Sequence, residues 1–144
     1  MKNYVFDTSA LLTFIENEEG VDIVENLLEQ SIEYKNNIFI SIVSLIELYY
    51  ISLREQGKDV AEERLNLIDN IPIIQESLSN HFVKIIGNLK VYNSMSFADC
   101  CIAGLAKYKN AILVHKDPEF EDVENEIEQL KLSYKKKKNS NKQG

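Results

Sequence analysis

The sequence lacks the features that hold many secreted and zinc-binding proteins together. Only two of its 144 residues are cysteine, Cys100 and Cys101. Because they are adjacent, they are poorly placed for a disulfide, and no CxxC spacing is present for a zinc site. The first 20 residues carry acids early and lack the apolar core of a secretory signal. These absences predict a protein of the reducing cytoplasm.

Long hydrophobic runs and domain linkers are also missing. The longest apolar stretch, residues 38–53, is shorter than the ~18 to 20 residues of a membrane-spanning helix, and Glu47 interrupts it. No internal repeat is visible, and no segment is rich in glycine, proline or serine. With 44% hydrophobic residues, the chain can bury a core. We therefore predict one folded domain over residues 1–134, without membrane contact.

Positive charge is scarce outside the C-terminal segment. The last ten residues, 135–144, contain five lysines and no acid, whereas the other 134 residues carry 11 bases and 23 acids, a net charge of −12. A segment so polar and so uniformly charged is predicted to be a disordered tail. The acidic body does not favour tight, non-specific attraction to phosphate backbones. It suits metal ions, a basic protein partner or simple solubility.

Short apolar runs alternate along the chain with segments of helical periodicity. The runs predicted to be strands are 4–6, 38–40, 71–74 and 111–114. The segments predicted to be helices are 8–16, 21–34, 41 or 44 to about 54, 59–70, about 77–91 with Ser77 as cap, and 97–108 with Ser96 as cap. Residues 122–134 alternate acids with apolar residues and give no assignment. The alternation predicts an α/β fold with a mostly parallel central sheet.

Two acids follow predicted strands. Asp7 comes directly after the run 4–6, and Asp117 lies three residues past the run 111–114. Because sites in parallel sheets gather outside the carboxyl ends of the strands, both acids are predicted at the same edge. Each also has a simpler interpretation, since Asp7 suits a helix N-cap and Asp117, before Pro118, suits a turn.

Two further acids interrupt apolar segments. Glu47 is the only charged residue between Lys35 and Arg54, and no Lys or Arg stands three or four positions from it. An unpaired carboxylate on such a helix costs desolvation free energy unless it is exposed, paired with a distant lysine or bound to a metal. Asp99 is the only charge in "SFADCCIAGLA", where its simpler role is to complement a helix dipole, worth ~0.3 to 1 kcal/mol.

Taken together, the four acids predict a metal site. Clustered carboxylates repel one another unless divalent cations neutralise them, and oxygen ligands without cysteine or histidine favour Mg²⁺ or Mn²⁺. Three small hydroxyl residues stand near these acids and are candidates to contact a metal-bound water or a substrate phosphate oxygen, although each also suits a cap or turn. They are Thr8, Ser9 and Ser96.

Three segments carry a family resemblance. "VFDTSALL", "SIVSLIELYY" and "SFADCCIAGLAKYKNAILVHKDPEF" resemble the PIN domains, and most of all the VapC-like toxins of prokaryotic toxin–antitoxin pairs. The resemblance covers residues 3 to about 130. It implies a three-layer α/β/α sandwich, a homodimer, and inhibition by a small antitoxin that wraps the toxin near its site. It also implies Mg²⁺- or Mn²⁺-dependent cleavage of RNA by the four metal-binding, catalytic acids, Asp7, Glu47, Asp99 and Asp117.

The resulting hypothesis is a metal-dependent ribonuclease that acts as a toxin. Attack by water rather than by the ribose 2′-hydroxyl would leave a 5′-phosphate and a 3′-hydroxyl. The alternatives are a catalytically silent PIN-like module that docks a basic peptide, and a housekeeping RNA-processing nuclease. A phosphoryl-transfer enzyme of the haloacid dehalogenase kind is disfavoured because Ser9 stands where it needs a second aspartate. The basic tail is either a solubilising segment, which we favour, or a weak RNA-attracting arm.

Overall fold

The structure of the protein, a computed structural model, describes residues 1–133. The basic tail predicted for residues 135–144 and the predicted domain end at 134 therefore lie outside the described residues. Within residues 1–133, no helix is long and apolar enough to cross a membrane.

A five-stranded sheet forms the centre of the described chain. Its strands are β1 (Lys2–Phe6), β2 (Asn36–Ser41), β3 (Ile74–Glu76), β4 (Ile112–His115) and β5 (Gln129–Lys131). Every pairing is parallel, and the strand order is β3-β2-β1-β4-β5. The sheet is therefore fully parallel over the described residues, where the sequence predicted a mostly parallel one.

Helices cover both faces of the sheet. The α-helices described are α1 (Thr8–Ile15), α2 (Val21–Ile32), α3 (Ile42–Gln56), α4 (Lys58–Asp69), α5 (Val83–Tyr92) and α6 (Phe97–Lys109), with short 3-10 helices at Asn80–Phe82 and Pro118–Val123. Side chains alternate along β1: Val5 packs in the core against α5 and α6, while Tyr4 and Phe6 pack in the core against α1 and α2. These two cores make the chain the predicted three-layer α/β/α sandwich.

Polar side chains cap three helices, of which α1 and α3 begin where strands end and α6 follows α5. Asp7 accepts a hydrogen bond from the Ala10 N–H at 2.8 Å and caps α1. Ser41 caps α3 at the end of β2, and Ser96 caps α6 by accepting from the Asp99 N–H at 3.1 Å. A capping oxygen satisfies one of the free N–H groups at a helix start. The caps therefore fix the starts of these helices, and Ser41 rather than Ser44 starts α3.

The strand order creates a crevice between β1 and β4. From β1 the chain builds β2 and β3 on one side, then crosses to add β4 and β5 on the other. In open α/β sheets, ligands bind outside the carboxyl ends of the strands at such a reversal of order. Asp7 and Asp117 follow the two strands that border this crevice.

Some predicted elements differ from those observed. The strand predicted at 71–74 lies at Ile74–Glu76, because Pro72 cannot donate a ladder hydrogen bond and Ile73 turns into the core. The helix predicted from Ser77 begins only at Val83, after a 3-10 turn, and Ser77 does not cap it. Strand β5 was not predicted, because an edge strand of only three residues is too short to show an alternating hydrophobic pattern in the sequence.

Candidate active site

Asp7 is a buried carboxylate at the end of β1. Its backbone N–H donates to the Val114 carbonyl at 3.2 Å, which continues the pairing of β1 with β4. The residue is 3% exposed, and burial raises its pKa to about 7. Hydrogen bonds from Ser9 and Ala10 act in the opposite direction, and the negative charges of Asp117 and Glu47 raise the pKa further. Asp7 caps α1, as the sequence suggested, but desolvation of its carboxylate has a larger effect on its pKa than the capping hydrogen bond.

Ser9 joins the ends of the two central strands. Its hydroxyl lies 2.7 and 2.8 Å from the two carboxylate oxygens of Asp7, to which it donates, and accepts from the Lys116 N–H at 2.8 Å. The sequence predicted Ser9 to contact substrate or a bound water. In the structure this hydroxyl orients Asp7 and satisfies the backbone after β4.

Glu47 reaches the same region from α3. It is half-buried, and the Thr8 hydroxyl donates to its Oε1 at 2.6 Å. The Tyr50 hydroxyl lies 3.5 Å from its Oε2. No ion pair found within residues 1–133 includes Glu47. Thr8, also predicted to contact substrate, thus orients the only charged side chain between Ile42 and Leu53 of α3.

Three more carboxylates converge beside this pair. Oxygens of Asp99, Asp117 and Glu119 all lie within 4.8 Å of one another. Burial raises the pKa of Asp99 to about 8, and the charge of Asp117 is the next largest cause. Asp99 lies in the first turn of α6, and Asp117 caps the 3-10 turn by accepting from the Glu119 N–H at 2.9 Å. Like charges held this close disfavour one another's ionisation.

Glu119 was not among the residues predicted for the site. Its Oε1 is buried and has no hydrogen-bond partner. The signal lay in "DPEF", where the residue two positions after the capping Asp117 is carried by a 3-10 turn. Because Glu121 and Asp122 follow closely, the sequence there reads as an ordinary charged surface.

His115 supports the acids from beneath. It is fully buried, its Nδ1 accepts from the Asp117 N–H at 3.0 Å, and its Nε2 lies 2.7 Å from Gln129 Oε1. An accepting Nδ1 leaves the proton on Nε2, and burial lowers the pKa of His115, so the ring is neutral. Gln129 in turn donates to the Phe120 carbonyl at 2.7 Å. The structure thus places His115 under the turn that carries Asp117.

Ser96 lies apart from these contacts. It is exposed, and its hydroxyl accepts from the Asp99 N–H as the cap of α6. It thus positions the helix turn that carries Asp99. Contact between Ser96 and a substrate remains a prediction.

The donor set suits a hard divalent cation. None of the five carboxylates forms an ion pair with a lysine, arginine or histidine among the described residues. The neighbouring thiols of Cys100 and Cys101 are buried with raised pKa values, so they are neutral and poor ligands. Carboxylate oxygens, one of them without a partner, are the ligands that Mg²⁺ and Mn²⁺ prefer. The residues present therefore fit such an ion.

Comparisons with known proteins identify the family and the fold of the chain. A sequence model of the PIN domain matches residues 4–126. The structure of VapBC2 from Rickettsia felis bound to a promoter DNA fragment is similar at a TM-score of 0.76 and 22% identity, covering 91% of this chain and 99% of that chain. VapC20 from Mycobacterium tuberculosis, described as a sarcin-ricin loop cleaving toxin, has a TM-score of 0.63 and 16% identity, covering 82% of this chain and 92% of that chain. No curated protein matches this sequence.

Proposed function

The chain belongs to the PIN domain family, and we propose that it is a divalent-metal-dependent ribonuclease, the toxin of a type II toxin–antitoxin pair. The observation that carries the proposal is the convergence of five carboxylates without a compensating side-chain cation in the described residues. The structures of VapBC complexes and of a toxin that cleaves the sarcin-ricin loop support the same class of activity.

The acids divide into two groups by their contacts. Asp99, Asp117 and Glu119 would hold Mg²⁺ or Mn²⁺ through their neighbouring oxygens, and Asp7 and Glu47 would complete the charge of the site. An ion bound there supplies charge stabilisation for the phosphodiester and a more acidic water. The protein's own contribution is orientation, because the Ser9 and Thr8 hydroxyls fix the carboxylates that carry the charge.

The test is cleavage of a defined RNA by the purified chain, with analysis of the new ends. We expect cleavage with Mn²⁺ or Mg²⁺, none in excess EDTA, and products with a 5′-phosphate and a 3′-hydroxyl. A cyclic phosphate would mean attack by the ribose 2′-hydroxyl and would contradict the proposed chemistry. A titration with Mg²⁺ or Mn²⁺ that shows no binding would favour the catalytically silent alternative.

An apolar groove beside Glu47 is the surface we assign to the antitoxin. A cavity of about 410 Å³ runs between α3 and α4, and its residues Ile46 and Tyr50 are 55% and 43% exposed. Asp69 of α4 is the one acid among its lining residues. A groove that is apolar inside with an acid in its wall is complementary to an apolar segment that carries a basic residue. Such a segment would lie next to the candidate site.

The antitoxin assignment is tested by sequencing the reading frame upstream of this chain's gene and by measuring the binding of any small protein encoded there. We expect Ile46→Asp to weaken the complex by at least ~10-fold, whereas Ile32→Asp, at a 62% exposed position on α2, leaves the affinity unchanged. Equal affinity of both variants and the wild type would place the partner elsewhere.

A second apolar surface suits the predicted homodimer. Val83, Val91 and Tyr92 on α5 are 66%, 74% and 79% exposed, and an adjoining cavity of about 400 Å³ is nearly all apolar. The segment 77–98 contains no acid, although the body is strongly acidic. Two copies would therefore meet here with the least charge repulsion. Sedimentation should give a dimer for the wild type and a monomer for Val91→Glu, and a wild-type monomer would exclude the homodimer.

A further inference from the structure

One side of α3 extends from the candidate site as a row of polar side chains. Glu47, Tyr50 and Arg54 stand three and four positions apart, and this spacing places them on the same side of a helix. The Tyr50 hydroxyl lies 3.5 Å from Glu47 Oε2, and the central carbon of the Arg54 guanidinium lies 5.7 Å from the centroid of the Tyr50 ring. These three side chains, which we call the α3 row, therefore lead from an acid of the site to a cation.

The cation at the end of the α3 row is not engaged by a carboxylate. Lys116, which precedes an acid of the site, lies 3.5 Å from Glu18 and shares its charge with it. Arg54 is exposed, and no ion pair found within residues 1–133 includes it. Its guanidinium is therefore available to an anion from outside the chain, and the planar fork of N–H donors matches a phosphate group.

The middle of the α3 row is an aromatic ring that is open to solvent. Tyr50 is 43% exposed, whereas Leu48 and Ser52 of the same helix are buried. Unpaired nucleic-acid bases stack on exposed aromatic rings, while a base inside a duplex has both faces covered by its neighbours. A ring at this position is therefore suited to a single strand.

The length of the α3 row fits a short stretch of nucleic acid. With a rise of ~1.5 Å per residue, Arg54 lies about 10 Å along α3 from Glu47. Stacked nucleotides follow one another at about 3.4 Å, so this distance corresponds to about three nucleotides. A strand whose phosphodiester lies at the acids would thus bring a base to Tyr50 and a phosphate to Arg54.

We propose that the α3 row is a subsite for single-stranded RNA, in which an unpaired base stacks on Tyr50 and Arg54 pairs with a neighbouring phosphate. The inference rests on the proposed ribonuclease function and names the class of RNA that the site takes. The acids of the crevice repel an approaching phosphate, so a cation at the end of the row gives the strand a place to bind. Because Tyr50 also lines the groove assigned to the antitoxin, a bound antitoxin would cover this subsite.

The experiment measures cleavage of a single-stranded RNA by the full chain with Mn²⁺. Arg54→Gln and Tyr50→Leu change the α3 row, and Lys2→Gln and Tyr34→Leu are the matched controls. Lys2 is exposed at the first residue of β1, and Tyr34 is 85% exposed just before β2, so both stand at the opposite ends of the strands from the acids. We expect each row variant to raise KM about 10-fold at low salt with kcat within twofold, and both controls to match the wild type.

A conservative variant separates stacking from support of Glu47. Tyr50→Phe keeps the ring and removes the hydroxyl that contacts Glu47. If the ring stacks on a base, this variant should keep the wild-type KM. A KM raised as much as in Tyr50→Leu would overturn the proposal, because Tyr50 would then act through the carboxylate.

Salt dependence and a duplex of the same sequence provide further readouts. One phosphate contact to a single strand contributes about −0.7 to the slope of log affinity against log salt, so Arg54→Gln should flatten the slope by about that amount and Tyr50→Leu should not. Tyr50→Leu should also leave duplex binding unchanged. Wild-type KM and slope in both row variants would overturn the proposal. So would a loss confined to the antitoxin complex, because the row would then serve a protein partner only.

RNA binding measured by fluorescence anisotropy in EDTA distinguishes this inference from the proposed function. If the wild type cleaves no RNA but both row variants still weaken binding of the single strand, the ribonuclease proposal fails and the subsite remains. If the wild type cleaves RNA and both row variants bind and cleave it equally well, the subsite alone fails.

Discussion

Carboxylates on the surface and carboxylates in the crevice are balanced differently. On the surface, Glu16, Glu18, Glu76, Glu124 and Glu126 each lie within 4.0 Å of a lysine or arginine. In the crevice, none of the five site acids has such a partner among the described residues, although Asp7 is 3% exposed. Several acids whose charge water already screens thus have a cation beside them, whereas the five acids of the crevice have none among the described residues.

This difference indicates where an external cation belongs. An exposed ion pair contributes little, because water and salt screen both charges. Burial of a carboxylate without a partner raises its pKa, because the ionised form loses its contact with water. Raised pKa values such as those of Asp7 and Asp99 are therefore expected for carboxylates of a metal site when the cation is absent.

The largest effect is expected from Asp99→Asn. The substitution keeps the size of the side chain and removes one charge from the cluster, so under the proposed function an ion would lose a ligand and the phosphodiester would lose charge stabilisation. That stabilisation is worth several kcal/mol, and RNA cleavage should fall at least ~100-fold. Circular dichroism should show an unchanged fold. Cleavage by this variant at the wild-type rate would falsify the metal mechanism.

A smaller loss is expected from Glu119→Gln. Its unpartnered oxygen lies beside Asp99 and Asp117, so the amide should weaken Mn²⁺ binding about 10- to 100-fold. Calorimetry measures the affinity directly, and raised Mn²⁺ should restore part of the cleavage rate. Glu121→Gln, two residues along the same turn, is the matched control and should bind like the wild type. Equal Mn²⁺ affinity in both variants would remove Glu119 from the site.

The free energy of unfolding of the metal-free protein should decrease as the pH rises, because the pKa values of two buried acids are raised in the folded state. Asp7 and Asp99 have folded-state pKa values of about 7 and about 8, above the ordinary 3.8. Their contribution to the free energy of unfolding is full below about pH 4 and is lost as the pH rises through the folded values. Metal binding requires the ionised forms, so Mn²⁺ affinity should rise up to about 10-fold per acid from pH 6 to pH 7.

Thermal melts with and without Mn²⁺ measure this linkage. The metal-free melting temperature should fall between pH 5 and pH 8, and the increase caused by Mn²⁺ should be larger at pH 8 than at pH 5. Asp7→Asn should reduce both changes. A metal-free melting temperature that rises over this range would contradict buried, uncompensated acids.

The positions of the acids followed from the sequence more readily than their contacts did. Asp7 and Asp117 were predictable because carboxyl ends of parallel strands share an edge, and Glu47 because it is the only charge between Lys35 and Arg54. The geometry brings these residues together, while their metal-binding and catalytic roles stay predictions. Glu119 was not predicted because the direction of its side chain depends on a 3-10 turn that His115 and Gln129 hold in place. Gln129 belongs to strand β5, which was not predicted either. Thr8 and Ser9 could not be resolved either, since a hydroxyl that caps, bridges or binds substrate has the same sequence signature.

The smallest effect is expected on the surface side of the comparison, at Glu126. Its carboxylate lies 2.7 Å from Lys107, and the two side chains are 36% and 47% exposed. Removing one partner of such a pair typically changes the free energy of unfolding by only ~0.2 to 1 kcal/mol, and high salt reduces the effect. Urea unfolding of Glu126→Gln should therefore nearly match the wild type, and Mn²⁺ affinity and RNA cleavage should not change. A loss of cleavage in this variant comparable to that of Asp99→Asn would mean that net negative charge, rather than the placement of five carboxylates in the crevice, sets the activity.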